Sequence, residues 1–315
     1  MAGIGIVIVT YNSQAEIGDC LDAAARTGAE IVVIDNASSD QTVAEVARRH
    51  VRLIANPINR GFAAAVNQGF TALATPYVLI LNPDAVLESD LEPLREACDL
   101  PGAGAAGGRL VDSRGRPQIG FMVRQLPTPA ALVLEALVLN RIWPENPVNR
   151  KYRGLHLDYS TRVEVEQPAG AFLMVRREVW KELGGLDEAY FPLWFEDVDF
   201  CRRMKDRGYR LFFEPRAVGK HTGGHSIPRI AVEMRPFYWY GNLLRYSASH
   251  FRASAFRAVC LAVVAGSLAR MIAESALRGS WAPMTGYWKV VRLAGRSFWR
   301  GWRNEAFPVV PVRLG

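Results

Sequence analysis

The 315-residue chain has only four cysteines (Cys20, Cys98, Cys201 and Cys260), far apart and without a C-x-x-C pair. That spacing excludes a disulfide framework and a thiolate zinc site, and reads as reduced cytosolic thiols. No G-x-G-x-x-G follows the first apolar run and no G-x-x-x-x-G-K-[ST] occurs, so the two commonest phosphate-cradling loops are missing. The N-terminus lacks the basic stretch and the long apolar run of a signal peptide. There is no repeat at solenoid spacing and no low-complexity tract. Acidic residues are scarce at one end. Residues 235–315 hold 12 Lys and Arg against 2 Asp and Glu, a balance of +10 within a net charge of +7, leaving −3 for residues 1–234. A near-neutral body with a strongly basic tail points to an anionic surface, nucleic acid or phospholipid.

Half of the residues are apolar, enough for a substantial core. Ile4–Val9 reads as a strand buried on both faces, Ile31–Ile34 as a second buried strand, and Val51–Ala55 and Tyr77–Leu81 as a third and fourth strand, separated by helical stretches at Glu16–Ala25, Gln41–His50 and Ala63–Leu73, with Ser39 or Asp40 able to cap the second. This β-α order predicts a parallel, doubly wound sheet. Polar residues follow every strand: Tyr11 and Asn12, Asp35 and Asn36, Asn59, then Asn82 and Asp84. In such sheets ligands bind at the carboxyl ends of strands. With no glycine loop for phosphate, a diphosphate's charge calls for a metal ion or basic side chains, and Asp84, held behind Pro83, is the natural metal ligand. Asn-Pro-Asp is equally the chemistry of an ordinary turn.

Farther along, Leu110–Gly120 reads as a hairpin, Thr128–Asn140 as an apolar helix and Arg141–Asp158 as a mobile loop. Val163–Glu166 and Ala171–Val175 read as strands, and Arg176–Leu183 as a helix. Gly170 allows close approach of backbone to a ligand, although a tight turn explains it as well. The stretch Tyr190–Arg203 sets Glu196, Asp197 and Asp199 directly after Phe191, Leu193, Trp194 and Phe195. Carboxylates beside an apolar wall acquire a raised pKa and can take a proton at neutral pH. The same residues suit the first turn of a helix Val198–Arg207. After a strand at Tyr209–Glu214, His221 and His225 lie in a Gly-rich segment, where either can be a ligand or simply structural. The tail, 236–303, interleaves Trp, Tyr and Phe with arginines. Its Phe256–Leu277 has the length of a membrane span, but Arg257, Arg270 and Glu274 argue against spanning. A helix lying in a membrane interface and a helical subdomain packed on the body both remain open; no nucleic-acid recognition motif is present.

Seven segments taken together resemble the family 2 glycosyltransferases, inverting enzymes of the GT-A fold, and among them the rhamnosyltransferase-like branch. They are Val7–Asn12, Ile34–Asp40, Asn56–Gly69, Leu81–Asp84, Pro168–Arg177, Gly184–Arg203 and His221–Ser226, in family order across about residues 3–228. The resemblance implies an α/β, Rossmann-like, mostly parallel sheet flanked by helices. Residues 1–234 would form the catalytic domain (nucleotide-sugar half about 1–108, acceptor half about 109–234), with a helical, basic-aromatic extension at 235–315. It further implies transfer of a sugar, with L-rhamnose from dTDP-rhamnose the best match, to a hydroxyl of a glycan or polyprenyl-linked saccharide. The donor-binding set is Thr10, Tyr11, Asn12, Asp35, Asn36, Asn59, Gly61, Phe62, Asn67, Asn82 and Gly170. Mg²⁺ or Mn²⁺ would be held by Asp84 and His221. Asp197 would be the general base, next to Glu196. Asn82 departs from the family's D-x-D at its first acidic position. The implied location is cytoplasmic, peripheral at the inner face of the membrane, on an anionic surface and without nucleic acid. The alternatives are a nucleotidyltransferase or NAD-type enzyme on a similar sheet, and a non-catalytic sugar-nucleotide-binding protein at the membrane.

Overall fold

A computed structural model describes residues 3–223, 230–231, 234–279 and 281–302. The chain falls into two compact units. The first comprises residues up to 126 with 153–188 and 196–226; the second comprises 127–152, 189–195 and the residues from 227 on. The second unit thus takes in more than the basic tail beyond residue 234.

The first unit begins with β1 (Ile4–Thr10), α1 (Ile17–Ala25), β2 (Glu30–Asp35), α2 (Thr42–Ala47), β3 (Arg52–Ala55), α3 (Phe62–Ala72) and β4 (Tyr77–Leu81). It continues through β5 (Ala85–Leu87), α4 (Glu92–Cys98), β6 (Ala103–Val111) and β7 (Val123–Arg124). In the second unit come α5 (Pro129–Ala136), α6 (Leu139–Ile142) and α7 (Pro147–Tyr152). The first unit resumes with β8 (Val163–Val165), β9 (Gln167–Pro168), β10 (Phe172–Arg176), α8 (Arg177–Leu183), α9 (Glu196–Asp206) and β11 (Arg210–His221). Helices α10 (Arg235–His250), α11 (Ala253–Arg278) and α12 (Ala282–Arg300) complete the second.

Among the described residues, nine strands form one sheet in the order β3-β2-β1-β4-β10-β6-β11-β5, with β8 also on β11. β1 is buried along its whole length, as its unbroken β-branched composition requires of a strand covered on both faces. Each such Val or Ile contributes about 1.5–3 kcal/mol through burial. Helix α3 is rich in small residues because it lies hard against β1: a Cβ on Gly69 would sit 2.4 Å from Val7 Cγ1. The first four strands are parallel, as expected, and β11 runs parallel to β6. Three strands run the other way: β5 and β8 are antiparallel to β11, and β10 is antiparallel to both β4 and β6. Its register pairs Phe172 with Leu81, so the entry of β10 meets the exit of β4. The carboxyl ends of β1, β2, β4 and β11 and the amino end of β10 therefore share one edge of the sheet.

Two expectations need correcting. The stretch 141–158 contains helices α6 and α7 where a loop was expected, and the apolar helix at 128–140 breaks at Val138, which adopts φ 65°. Buried amides explain the order: Asn146 donates to Asn140 Oδ1 (3.1 Å), and Asn149 donates to the Pro144 carbonyl (2.6 Å). Strand β11 is also much longer than Tyr209–Glu214. It crosses an irregularity between Glu214 and Val218 and carries His221 at its end.

Candidate active site

At the ends of β1 and β2 the polar side chains bind one another. Thr10 Oγ1 donates to Asp35 Oδ1 (2.8 Å), while Ser38 donates through its N–H to Asp35 Oδ2 (2.9 Å) and through its hydroxyl to Oδ1 (2.5 Å). Asp35 is 1 % exposed, and these donors make up for its lost water. Asn12, at φ 52°, donates its N–H to Ser38 Oγ (2.7 Å) and accepts from Ser39 N (2.7 Å). Half-buried Tyr11 donates its N–H to Ser13 Oγ (3.4 Å). Asn36 donates to the Gly61 carbonyl (3.0 Å) and accepts from Arg60 N (3.2 Å) and Asn56 Nδ2 (3.2 Å). Asn59 accepts from Gly61 N (2.9 Å) just before α3, where Phe62 is half-buried. The result is a rigid polar floor, in which Asp35 braces two loops. Asp40, which the sequence offered as a cap for α2, accepts from Thr42 N (3.0 Å). Asn67 uses its amide otherwise: it donates to the Leu186 carbonyl (2.9 Å) and accepts from Leu186 N (3.0 Å), fastening α3 to the turn after α8.

Along the same edge, after β4, Asp84 Oδ1 lies 3.4 Å from His221 Nε2. The strand pairing His221↔Ala85 sets them opposite each other. Both are buried, at 8 % and 3 % exposure. Asn82 Nδ2 stands 3.5 Å from the same His221 nitrogen, and Gly223 N donates to Asp84 Oδ2 (3.1 Å). Two donors sharing a divalent cation at about 2.1 Å, at right angles, would stand roughly 3 Å apart. The Asp84–His221 separation and the carboxylate–imidazole–amide chemistry thus fit a cation such as Mn²⁺ or Mg²⁺. Among the described residues no group of three or more His, Cys, Asp or Glu gathers around one point, so the remaining coordination would come from outside those side chains. His225 lies outside the described residues.

The acidic stretch opens α9, and its three carboxylates do different work. Asp199 pairs with Arg203 (2.7 Å), whose guanidinium also donates to the Leu183 and Gly185 carbonyls (2.9 and 2.8 Å), a structural clamp. Glu196 is buried at the first turn of α9. Asp197 Oδ2 accepts from Gly170 N (3.0 Å) and Gln167 Nε2 (3.2 Å), and Oδ1 from Val198 N (2.8 Å). Burial pushes the Asp197 carboxyl above the ordinary Asp range; the N–H groups of Gly170 and Val198 and the charge of Arg124 oppose that rise without cancelling it. A Cβ on Gly170 would stand 3.0 Å from Asp197 Cβ and 3.2 Å from Oδ2. The glycine is there for the approach of this carboxylate. Ala171, the next residue, accepts from Asn82 N (3.0 Å). Asp197 is thereby joined through Gly170 and Ala171 to the Asn82–Asp84–His221 group. The rings expected to wall Asp197, Trp194 and Phe195, pack on Trp239 within the second unit (5.7 and 5.4 Å between centroids).

Comparison with known proteins identifies the family. The family model described as "Glycosyl transferase family 2" matches residues 5–184. The chain belongs to that family. It is a glycosyltransferase. A curated relative, the N-acetylglucosaminyl-diphospho-decaprenol L-rhamnosyltransferase of Mycobacterium tuberculosis, is 30% identical over 242 residues, covering 71% of this chain and 77% of that protein. The low-salt glycan biosynthesis hexosyltransferase Agl10 of Haloferax volcanii is 26% identical over 206 residues, 64% of this chain and 61% of its own. Among solved structures, the mannosyltransferase PcManGT of Pyrobaculum calidifontis, in complex with GDP-Man and Mn²⁺, superposes with a TM-score of 0.53 at 17% identity, covering 96% of this chain and 89% of that one. The fold of this family 2 enzyme is accordingly GT-A.

Four contributors to the site carry no local signal in the sequence: Gln118, Phe121, Arg124 and Gln167. Each acts on a residue at least 30 positions away, and only the strand register brings them together.

Proposed function

We propose that this enzyme transfers a sugar with inversion from a nucleoside-diphosphate donor, dTDP-L-rhamnose by its likeness to the mycobacterial rhamnosyltransferase, to a hydroxyl of a lipid-linked or free saccharide. The observation that carries the proposal is the pairing of Asp84 with His221, linked through Asn82 and Ala171 to the Gly170–Asp197 contact. The donor's base and ribose would rest on the floor built by Thr10, Tyr11, Asn12, Asp35 and Asn36, with Asn59, Gly61 and Phe62 at its rim. Asp84 and His221, with Asn82 beside them, would hold Mg²⁺ or Mn²⁺, which when bound supplies charge neutralisation for the departing diphosphate.

The chemistry left to the chain is proton removal. The acceptor oxygen bonds to the anomeric carbon as the bond to the diphosphate breaks, and the acceptor's proton passes to Asp197. With Oδ2 occupied by Gly170 and Gln167, Oδ1 is the accepting atom. A raised pKa suits that role, since a base must hold the proton once it has it. Assaying hydrolysis of dTDP-, UDP- and GDP-sugars with Mn²⁺ and Mg²⁺ tests the reading. Turnover of dTDP-rhamnose is expected; turnover confined to another nucleotide-sugar would contradict the donor assignment.

We further propose that the second unit meets the inner membrane surface. Helix α11 contains a stretch, Ala253–Leu277, long and apolar enough to cross a membrane by length and composition. Two of its charges are used inside the unit: Arg270 donates to the Tyr240 hydroxyl, and Glu274 accepts from Tyr287 (2.6 Å). Trp281, Trp288 and Trp299 are exposed by 78, 53 and 81 %, and at about 100° per residue they share one face of α12. Lys289, Arg292, Arg296 and Arg300 accompany them, with no acidic residue on that helix. Tryptophan with cations suits an interfacial helix on anionic lipid.

A further inference from the structure

His221 is buried, so the protein decides which of its ring nitrogens carries hydrogen. Nδ1 lies 3.1 Å from Gln118 Oε1. The two arms of the Gln118 amide are not interchangeable. Its Nε2 donates to the main-chain carbonyl of His221 at 2.7 Å, and only an amino group can donate to a carbonyl oxygen. The arm facing Nδ1 must then be oxygen, and an oxygen there requires N–H at Nδ1. In a neutral ring this leaves the lone pair on Nε2, the nitrogen that faces Asp84 and Asn82. A lone pair and a carboxylate oxygen 3.4 Å apart repel unless a cation lies between them.

The segment that supplies Gln118 is itself held. Gln118 N donates to the Leu110 carbonyl (2.9 Å), and the Gln118 carbonyl accepts from Phe121 and Met122 N (3.0 Å each). Phe121 stacks on the imidazole, with 5.2 Å between centroids and 8° between planes. One turn thus provides both the amide that selects the tautomer and the ring that fixes its plane.

We infer that Gln118 is a positioning residue: it holds His221 as the Nδ1–H tautomer, so that Nε2 offers its lone pair to a divalent cation shared with Asp84. This rests on the reading of Asp84 and His221 as cation ligands, and the test separates the two. Nitrogen-15 histidine spectra of the metal-free protein, recorded above the ordinary imidazole pKa, report the tautomer directly; a His221→Gln variant assigns His221 among the five histidines. The expected wild-type spectrum has a protonated Nδ1 and a bare Nε2. Gln118→Glu, which keeps an oxygen on Nδ1, retains it, and Gln118→Met loses it. In Mn²⁺ titrations followed by calorimetry, Gln118→Met binds about 10–100-fold more weakly, as loss of a ligand-orienting partner does, while Gln118→Glu, which gives up the bond to the His221 carbonyl but keeps the oxygen on Nδ1, binds more tightly than Gln118→Met. Hydrogen on Nε2 in the metal-free wild type, as Nε2–H or as imidazolium paired with Asp84, would overturn the inference whatever the metal result. Unchanged Mn²⁺ affinity in folded Gln118→Met would overturn it as well. A wild-type protein with the expected tautomer but no Mn²⁺ binding would instead overturn the cation reading.

Discussion

Two stretches of one sheet edge use the same residue types for different ends. At β1 and β2, Asp35 is surrounded by donors from Thr10 and Ser38, and its charge is spent on joining two loops. Across β4, β10 and β11, Asp84 faces an imidazole nitrogen, and Asp197 accepts through Oδ1 from the Val198 N–H. The donors to Asp35 come from its own and the neighbouring loop. Those to Asp197 come from the segment entering an antiparallel strand and from the first turn of its own helix, and burial still leaves the carboxyl raised. The two carboxylates are distinguished by where their donors come from, which residue type alone does not carry.

The sharpest way to break this contrast is Asp197→Asn. It is expected to reduce transfer by about 10²–10⁴-fold, the usual worth of a general base, with donor binding by calorimetry unchanged. Near-normal turnover would make Asp197 scaffold like Asp35. Removing the proposed cation with EDTA should abolish transfer, and added Mn²⁺ should restore it; a metal-indifferent rate would take Asp84 and His221 out of the reagent group. Gly170→Ala sharpens the comparison. The new methyl displaces the Asp197 carboxylate, and kcat is expected to fall roughly 10-fold or more while KM for the donor holds, since small misplacements of a catalytic group are costly. The pH profile is milder in effect. If Asp197 is the proposed base, transfer needs it ionised; burial holds its carboxyl above the ordinary Asp range, so the acid limb of kcat is expected above that range and activity is lost as pH falls through it. The smallest effect on rate is expected for Asp35→Ala. It strands the Thr10 and Ser38 donors and destabilises by about 1–3 kcal/mol in denaturant titration, with kcat little changed and KM for the donor raised, since Asp35 belongs to the proposed donor floor.

Much of the fold was legible because β1, β2 and β4 are apolar runs with polar ends, a pattern that a parallel sheet buried on both faces imposes. The candidate residues Asp84, Asp197 and His221 were legible through motif resemblance, and Asp84 also from its place after a strand. Hidden from the sequence was the direction of β10, whose five residues look alike in either orientation. That direction alone sets Gly170 beside Asn82. Gln118 and Gln167 stayed hidden for the same reason, since their partners are fixed by register between strands distant in sequence. The helices at 139–152 were missed because buried Asn–Asn hydrogen bonds, not an apolar periodicity, order that segment.

The account turns on the Asp84–His221 pair acting as a cation seat beside Asp197. Crystals soaked with Mn²⁺ and dTDP, measured at a wavelength where manganese scatters anomalously, examine it most directly. The predicted map has one strong peak bonded to the Asp84 carboxylate and to His221 Nε2, touching the nucleotide's diphosphate. Nucleotide bound at the strand ends with no anomalous peak between those two side chains would contradict it.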